Sequence, residues 1–240
     1  MRRLVVTKYC TATVRDYMLS GNFRMTSLAE CAANDFAGAA MSDHGEGVGN
    51  ALLFGDLHDF TGNIGGIIAH GLTIEGSDPA PAVQFNVVME ANVFCTSNGK
   101  FRRDVYNFIR YGNNRDYDGN NDYNSYVTFD AQLLGEALGI LHQMVYGAYF
   151  RFWMAPVRYV GREEKFSIDG YDAGREQEII RHGLNAAFRK PTRFSGEQEF
   201  RFLFPCPPDV PAKPIFTSDG NWDIAAIFRE AVLDQGCIEP

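Results

Sequence analysis

Residues 189–204, Arg-Lys-Pro-Thr-Arg-Phe-Ser-Gly-Glu-Gln-Glu-Phe-Arg-Phe-Leu-Phe, set two glutamates and an arginine in alternation with aromatic residues. On a strand successive side chains point to opposite faces. Glu197, Glu199 and Arg201 are therefore expected on one face, and Gln198, Phe200, Phe202 and Phe204 on the other. Such a strand buries its aromatic face and offers a charged one. Carboxylates held side by side on a rigid strand, entered through a Ser195-Gly196 turn, suit acid/base work or the stabilisation of positive charge. A half-buried strand with a solvated outer face accounts for the same alternation without any chemistry.

A second set of reactive side chains lies at Asp43-His44-Gly45-Glu46, followed by His58, Asp59 and His70. Histidines and carboxylates are the ligands of hydrolytic metal sites, so a metal-dependent hydrolase or nuclease is the rival enzyme reading. None of the spacings matches His-Glu-x-x-His or an EF-hand loop, and a glycine-rich surface turn explains the same residues. Residues 45–66 also lack both the Gly-Lys-Ser/Thr ending of a phosphate loop and the ordered glycine spacing of a dinucleotide fold. No resident metal is expected.

The elements that position these residues can be read along the chain. Residues 4–8 read as a strand and 14–19 as a short helix stopped by Gly21. Residues 23–26 look extended, and Ser27 and Glu30 have the Ser-x-x-Glu spacing of a capping box that opens a helix toward Met41. Short strands at 51–54, 64–68 and 72–74 and a longer one at 83–95 follow, the last ending in Thr96 and Ser97. Residues 111–125 are dominated by Asn, Asp and Tyr and read as a long exposed loop. A strand at 126–129 then leads to a helix with Asp130 as its N-cap and Leu133, Leu134, Ala137, Leu138 and Leu141 at helical spacing. Strands at 147–153 and 157–160 come next, then a helix capped by Asp172 that delivers the chain into the glutamate-bearing strand. Prolines 205, 207, 208, 211 and 214 stop that strand, and a helix over 222–233 closes the chain. The sum is one α+β domain over residues 1–240, a mostly antiparallel sheet with helices around it.

The 240 residues, 45% of them hydrophobic, suffice for one large core. A net charge of -8 argues against a protein that coats nucleic acid. Five widely spaced cysteines without Cys-x-x-Cys indicate neither a disulfide framework nor a zinc knuckle, which points to a reducing, cytoplasmic setting. Lys8 interrupts the first apolar run before signal-peptide length, and residues 138–156 carry too many polar groups for a bilayer span. No membrane association is expected.

Three short motifs resemble the arginine-serine-glutamate class of the ADP-ribosyltransferase superfamily, which places an Arg on an early strand, Ser-Thr-Ser on a middle strand and Glu-x-Glu on a late one. The matching pieces are Phe23-Arg24-Met25-Thr26-Ser27, Phe94-Cys95-Thr96-Ser97 and Ser195-Gly196-Glu197-Gln198-Glu199, with Cys95 in place of the first Ser of the middle motif. The resemblance implies NAD as substrate and a macromolecular acceptor, protein or RNA. Toxin, effector or phage-defence roles are common in the superfamily, and an antitoxin or inhibitor partner would accompany them. It makes Glu199 the main catalytic carboxylate and Glu197 the group that orients or deprotonates the acceptor. Arg24 would grip a phosphate of the dinucleotide, within a binding set that includes Thr26 and Ser27, while Thr96 and Ser97 would support the glutamate or the ribose.

A non-catalytic binding module is the third reading. The tyrosine- and asparagine-rich loop has the composition of adaptable recognition surfaces. Arg103, Arg110 and Arg115, interleaved with tyrosines, could stack on single-stranded bases.

Overall fold

A computed structural model describes residues 3–33, 48–54, 63–64, 67–75, 82–112, 122–147, 152–160, 166–169, 184–207, 210–217 and 225–239. Within these, 48–54, 63–64, 67–75, 82–88 and 166–169 are described by secondary structure alone. The chain opens with β1 (Val5–Cys10), α1 (Ala12–Leu19), β2 (Arg24–Ser27) and α2 (Leu28–Ala33). Strands β3 (Val48–Phe54), β4 (Asn63–Ile64), β5 (Ile67–Glu75), β6 (Ala82–Met89) and β7 (Ala91–Asn98) follow, then α3 (Arg103–Tyr111), β8 (Ser125–Asp130) and α4 (Ala131–Tyr146). The second half contains β9 (Trp153–Pro156), β10 (Arg158–Val160), β11 (Phe166–Asp169), β12 (Arg189–Pro191), a 3-10 turn (Thr192–Glu197) and β13 (Glu199–Pro205). It closes with β14 (Ile215–Phe216), α5 (Ala225–Ala231) and β15 (Val232–Cys237).

The fold is α+β. Among the described residues every ladder is antiparallel except β10 with β12 and β11 with β3. The larger sheet has the order β14-β2-β7-β1-β8-β15, with β13 on β7 and β9 on β13; a smaller one runs β11-β3-β6-β5-β4. A strand has two edges, and β7 has three neighbours. β13 takes one edge along Ala91–Ser97, so β2 and β1 share the other, β2 at Asn92 and Val93 and β1 at Ser97 and Asn98. Between these two footholds β1 and β2 part, and that opening positions the site.

Aromatic alternation on β13 buries one face as the sequence requires. Phe200, Phe202 and Phe204 join Phe94, Phe129 and the α4 residues Leu134, Leu138 and Leu141 in one buried cluster. The α4 positions follow helical i, i+4, i+7 spacing, and each such side chain stabilises the fold by about 1.5–3 kcal/mol through burial. Asp130 Oδ1 caps α4 by accepting from the amides of Gln132 (2.9 Å) and Leu133 (3.2 Å), and Gly147 ends it in the left-handed region at φ 71°. On the opposite side of β1, Tyr9 packs with Val105, Tyr106 and Ile109 of α3.

Several expected elements are corrected. The long strand over 83–95 is two strands, β6 and β7, divided at Glu90. Residues 103–111, read as part of no element, form α3, because Val105, Tyr106 and Ile109 share one apolar stripe. Of the strand expected over 147–153, Gly147 serves α4 as its C-cap and Trp153 opens β9, while 148–151 lie outside the described residues. The closing helix stops at Ala231, where β15 adds to the edge of β8. The capping box is formed, with Ser27 Oγ accepting from the Glu30 amide and Glu30 Oε2 accepting from the Ser27 amide. The helix opens there and is described to Ala33. Of the helix expected after Asp172 only 184–187 falls among the described residues, and most of the loop over 111–125 lies outside them. No described helix is long and apolar enough to cross a membrane.

Candidate active site

Glu199 opens β13, but Glu197 does not lie on that strand. It ends the 3-10 turn, and Gln198 between them adopts a left-handed conformation at φ 47°, breaking the expected alternation. The turn is tight because Gly196 passes against α3: a Cβ there would fall 2.3 Å from the Phe108 ring. The two carboxylates converge all the same. Lys190 of β12 donates through Nζ to Glu197 Oε2 at 2.7 Å and to Glu199 Oε2 at 2.9 Å. The other oxygen of Glu199, Oε1, accepts from Arg201 Nε at 2.5 Å, while Arg201 Nη1 donates to the carbonyl of Ala187 at 2.6 Å.

This face of β13 is not offered to water. Lys190, Glu197, Glu199 and Arg201 are all buried, Arg201 completely, so the expectation of a solvated charged face is overturned. Buried charges persist only when paired and hydrogen-bonded, and among the described residues Lys190 pairs with Glu197 and Glu199, and Arg201 with Glu199. Burial opposes ionisation of Glu199, yet the charges and hydrogen bonds of Arg201 and Lys190 outweigh it and hold the carboxyl well below its ordinary range. The Glu199 amide donates to the Tyr159 hydroxyl at 2.7 Å. Tyr159 sits beside Lys190 in the β10–β12 pair, and burial, reinforced by the nearby carboxylates, pushes its phenol up.

The cluster stands at the wall of a cavity of about 830 Å³, within the size range of small-molecule sites. Arg24, Thr26, Thr96, Ser97, Glu197 and Glu199 all line it, contributed by three segments far apart in sequence. The cavity occupies the opening where β1 and β2 part along β7. Ser97 lies directly opposite Glu199 in the β7–β13 ladder and opposite Thr7 in the β1–β7 ladder, so the three form a row across three strands. Thr96 spends its hydroxyl on the carbonyl of Phe200 at 3.1 Å. Arg24 lies over the ring of Phe216 and 3.6 Å from Glu30, whose carboxylate also accepts from the Thr26 hydroxyl.

Ser27 is the expected binding residue that is not part of the lining. It is buried, and its hydroxyl belongs to the α2 cap. Lys190, Tyr159 and Lys8 were not singled out by sequence reasoning. Lys190 precedes Pro191 outside the alternating pattern and reaches the glutamates only because the 3-10 turn folds back. For Lys8 a signal existed, a charged residue inside an otherwise apolar strand. The rival cluster at Asp43, His44, Glu46, His58 and Asp59 lies outside the described residues, and His70 is described only as part of β5.

Chemically, a carboxylate kept ionised this firmly is a poor proton acceptor near neutral pH and a good stabiliser of positive charge. Comparisons of this chain with protein-family models, curated proteins and solved structures find no match.

Proposed function

We propose that this chain is an ADP-ribosyltransferase that takes NAD as substrate and transfers ADP-ribose to a macromolecular acceptor, protein or RNA. The observation that carries the reading is the meeting of Arg24, Ser97 and Glu199, one from each of the three motifs, in the wall of one cavity. Cleavage between nicotinamide and ribose develops positive charge on the sugar, and the electron pair of the broken bond leaves with the ring. A fixed carboxylate lowers that barrier, as in glycoside hydrolysis. Glu199 supplies it, and its depressed pKa suits electrostatic stabilisation better than base catalysis. Ser97, opposite Glu199, offers a hydroxyl to the ribose or the carboxylate. Glu197, at the end of the turn, faces the acceptor and receives or relays its proton. Arg24 holds a phosphate of the dinucleotide.

Lys190 gives this reading a specific feature. Its ammonium bridges the two carboxylates that the developing sugar cation also needs, and two like charges sharing those carboxylates repel each other. Productive binding therefore requires Lys190 to yield part of its hold on Glu199.

The deciding experiment incubates purified protein with NAD and cell extract, following nicotinamide release and transfer of labelled ADP-ribose, with Glu199→Gln in parallel. Activity in the wild type and a loss of at least about a hundredfold in the variant support the assignment. Equal rates overturn it. Activity on phosphoesters abolished by a chelator, without NAD turnover, would favour the hydrolase reading at Asp43 and His44.

A further inference from the structure

We propose that Lys8 is a second anion-binding group of the cavity, set across the opening from Arg24, and that the two hold the pyrophosphate of the ligand between them. This rests on the NAD reading and adds to it a residue that the motif resemblance does not assign.

Charge balance sets Lys8 apart from the other cations of the cavity. Most charged side chains lining the cavity have an opposite partner: Arg24 has Glu30 at 3.6 Å, and Lys190 has Glu197 and Glu199. Lys8 does not. Its ammonium donates to the carbonyl of Cys95 at 2.8 Å and lies 5.2 Å from the centre of the Phe94 ring. Among the described residues no carboxylate comes within ion-pair reach of it. An ammonium carries three donors, and a half-buried one left with a single carbonyl and a ring face retains both charge and hydrogen-bonding capacity for a ligand.

Strand register places Lys8 and Arg24 near one another. The β2–β7 register pairs Thr26 with Val93, and the β1–β7 register pairs Thr7 with Ser97. Carried along the strands, these registers bring Arg24 level with Cys95 and Lys8 level with Thr96. The two cations thus flank the same short stretch of β7; alternation starts Arg24 on the Cys95 and Ser97 face and Lys8 on the Phe94 and Thr96 face, and Lys8 reaches the opening by extending its ammonium to the Cys95 carbonyl. Thr7, Ser97 and Glu199 form a row across three strands, so the backbone of Lys8 stands on the order of 10 Å from that of Glu199. One ligand can then present its sugar to Glu199 and its phosphates to Lys8 and Arg24, with the aromatic walls at Phe23 and Phe94 in between.

The test titrates the full chain by calorimetry with ADP-ribose and, separately, with inorganic pyrophosphate, for wild type, Lys8→Met and Lys8→Arg. The expected result is a Kd for ADP-ribose raised about 10- to 100-fold by Lys8→Met, the loss of one charge-assisted contact, and largely restored by Lys8→Arg. Salt dependence should flatten in the Met variant, and melting temperatures should stay close to wild type. Equal ADP-ribose affinity in wild type and Lys8→Met overturns the role of Lys8 and leaves the NAD reading intact. Pyrophosphate binding that depends on Lys8, without ADP-ribose binding or NAD turnover, upholds the anion site and overturns the NAD reading. Failure of the wild type to bind either compound overturns both.

Discussion

Ser97 and Glu199 face each other across the β7–β13 ladder, in the row that Thr7 of β1 completes. Directly opposed side chains in such a ladder share a face, with Cβ atoms about 4.5–5.5 Å apart. Among the described residues no hydrogen bond takes up the Ser97 hydroxyl, whereas that of Thr96 is spent on Phe200. Ser97→Ala should therefore lower the rate of nicotinamide release roughly 10- to 100-fold while changing stability by less than about 1 kcal/mol. Thr96→Val should show the reverse balance, with the larger effect on the urea midpoint. Steady-state kinetics beside denaturant titration of both variants decides between the two roles.

Lys190 holds the two glutamates together, so its removal should be read in the pH dependence of the reaction. With the shared ammonium gone, the carboxylates repel each other and the charged form of Glu199 is disfavoured, which moves its pKa upward. The acidic limb of the pH-rate profile is expected to rise by roughly 1–3 units in Lys190→Met and to return toward wild type in Lys190→Arg. An acidic limb common to all three proteins would remove Lys190 from any role in setting the charge of the site.

The same cluster makes a statement about acid stability. Glu199 ionises far more readily in the folded chain than at its ordinary value of 4.5, because Arg201 and Lys190 outweigh the cost of burial. A depressed carboxylate pKa contributes stability that is fully present above the unfolded value and is lost as pH falls through the folded one. In Glu199→Gln, Arg201 loses its carboxylate partner while buried, a change that costs about 3–5 kcal/mol. Urea midpoints of wild type and variant should therefore lie far apart above pH 5 and converge as pH falls toward 2. A constant gap across that range would show that the ion pair is not what the variant loses.

How much of this was legible in the sequence depends on the range of the interaction. The aromatic face of β13, the Asp130 cap and the Ser27–Glu30 capping box follow from local periodicity and local hydrogen bonding, and all three are formed. The burial of Glu199 and Arg201 was not legible, because alternation gives the face of a strand but not what covers it. That cover comes from Lys190 and from Tyr159, which reach Glu199 through chain reversals that no period encodes. Strand β15 was lost for a similar reason: its Val232-Leu233 continues a helical stripe in sequence and becomes extended only because the edge of β8 accepts it. Ser27 was legible as a capping residue but not as one apart from the cavity: its hydroxyl accepts from the Glu30 amide, and the residue lies outside the cavity lining.

His142 supplies an independent pH effect within the core. It is buried on α4 beside Tyr146 and Phe204, and burial pushes its imidazole down to about 4. The unfolded chain takes up that proton near 6.5, so between pH 6.5 and 4 the unfolded state binds more protons and stability falls as pH drops. The loss is on the order of 3 kcal/mol and is complete below the folded value. His142→Gln should flatten the urea midpoint over this interval, whereas Glu199→Gln acts below it. Identical slopes in wild type and His142→Gln would place the acid sensitivity elsewhere.

Gly196 ties the carboxylates to α3. A methyl at this position would press into the Phe108 ring at 2.3 Å, close to the ring's attachment point, where the side chain has little freedom to swing away. Gly196→Ala is therefore expected to destabilise by about 1–3 kcal/mol through overpacking. The turn also delivers Glu197 to Lys190, so any displacement of Gly196 moves a carboxylate by a comparable amount. Activity should fall along with stability, and the two effects can be separated by removing the obstacle. In Gly196→Ala with Phe108→Ala the steric conflict is gone, and the double variant should be more stable than the sum of the single losses by roughly 0.5–3 kcal/mol. If activity recovers with it, the clash alone had displaced Glu197. Strict additivity would show instead that Gly196 is needed for its own backbone and not for the approach of Phe108.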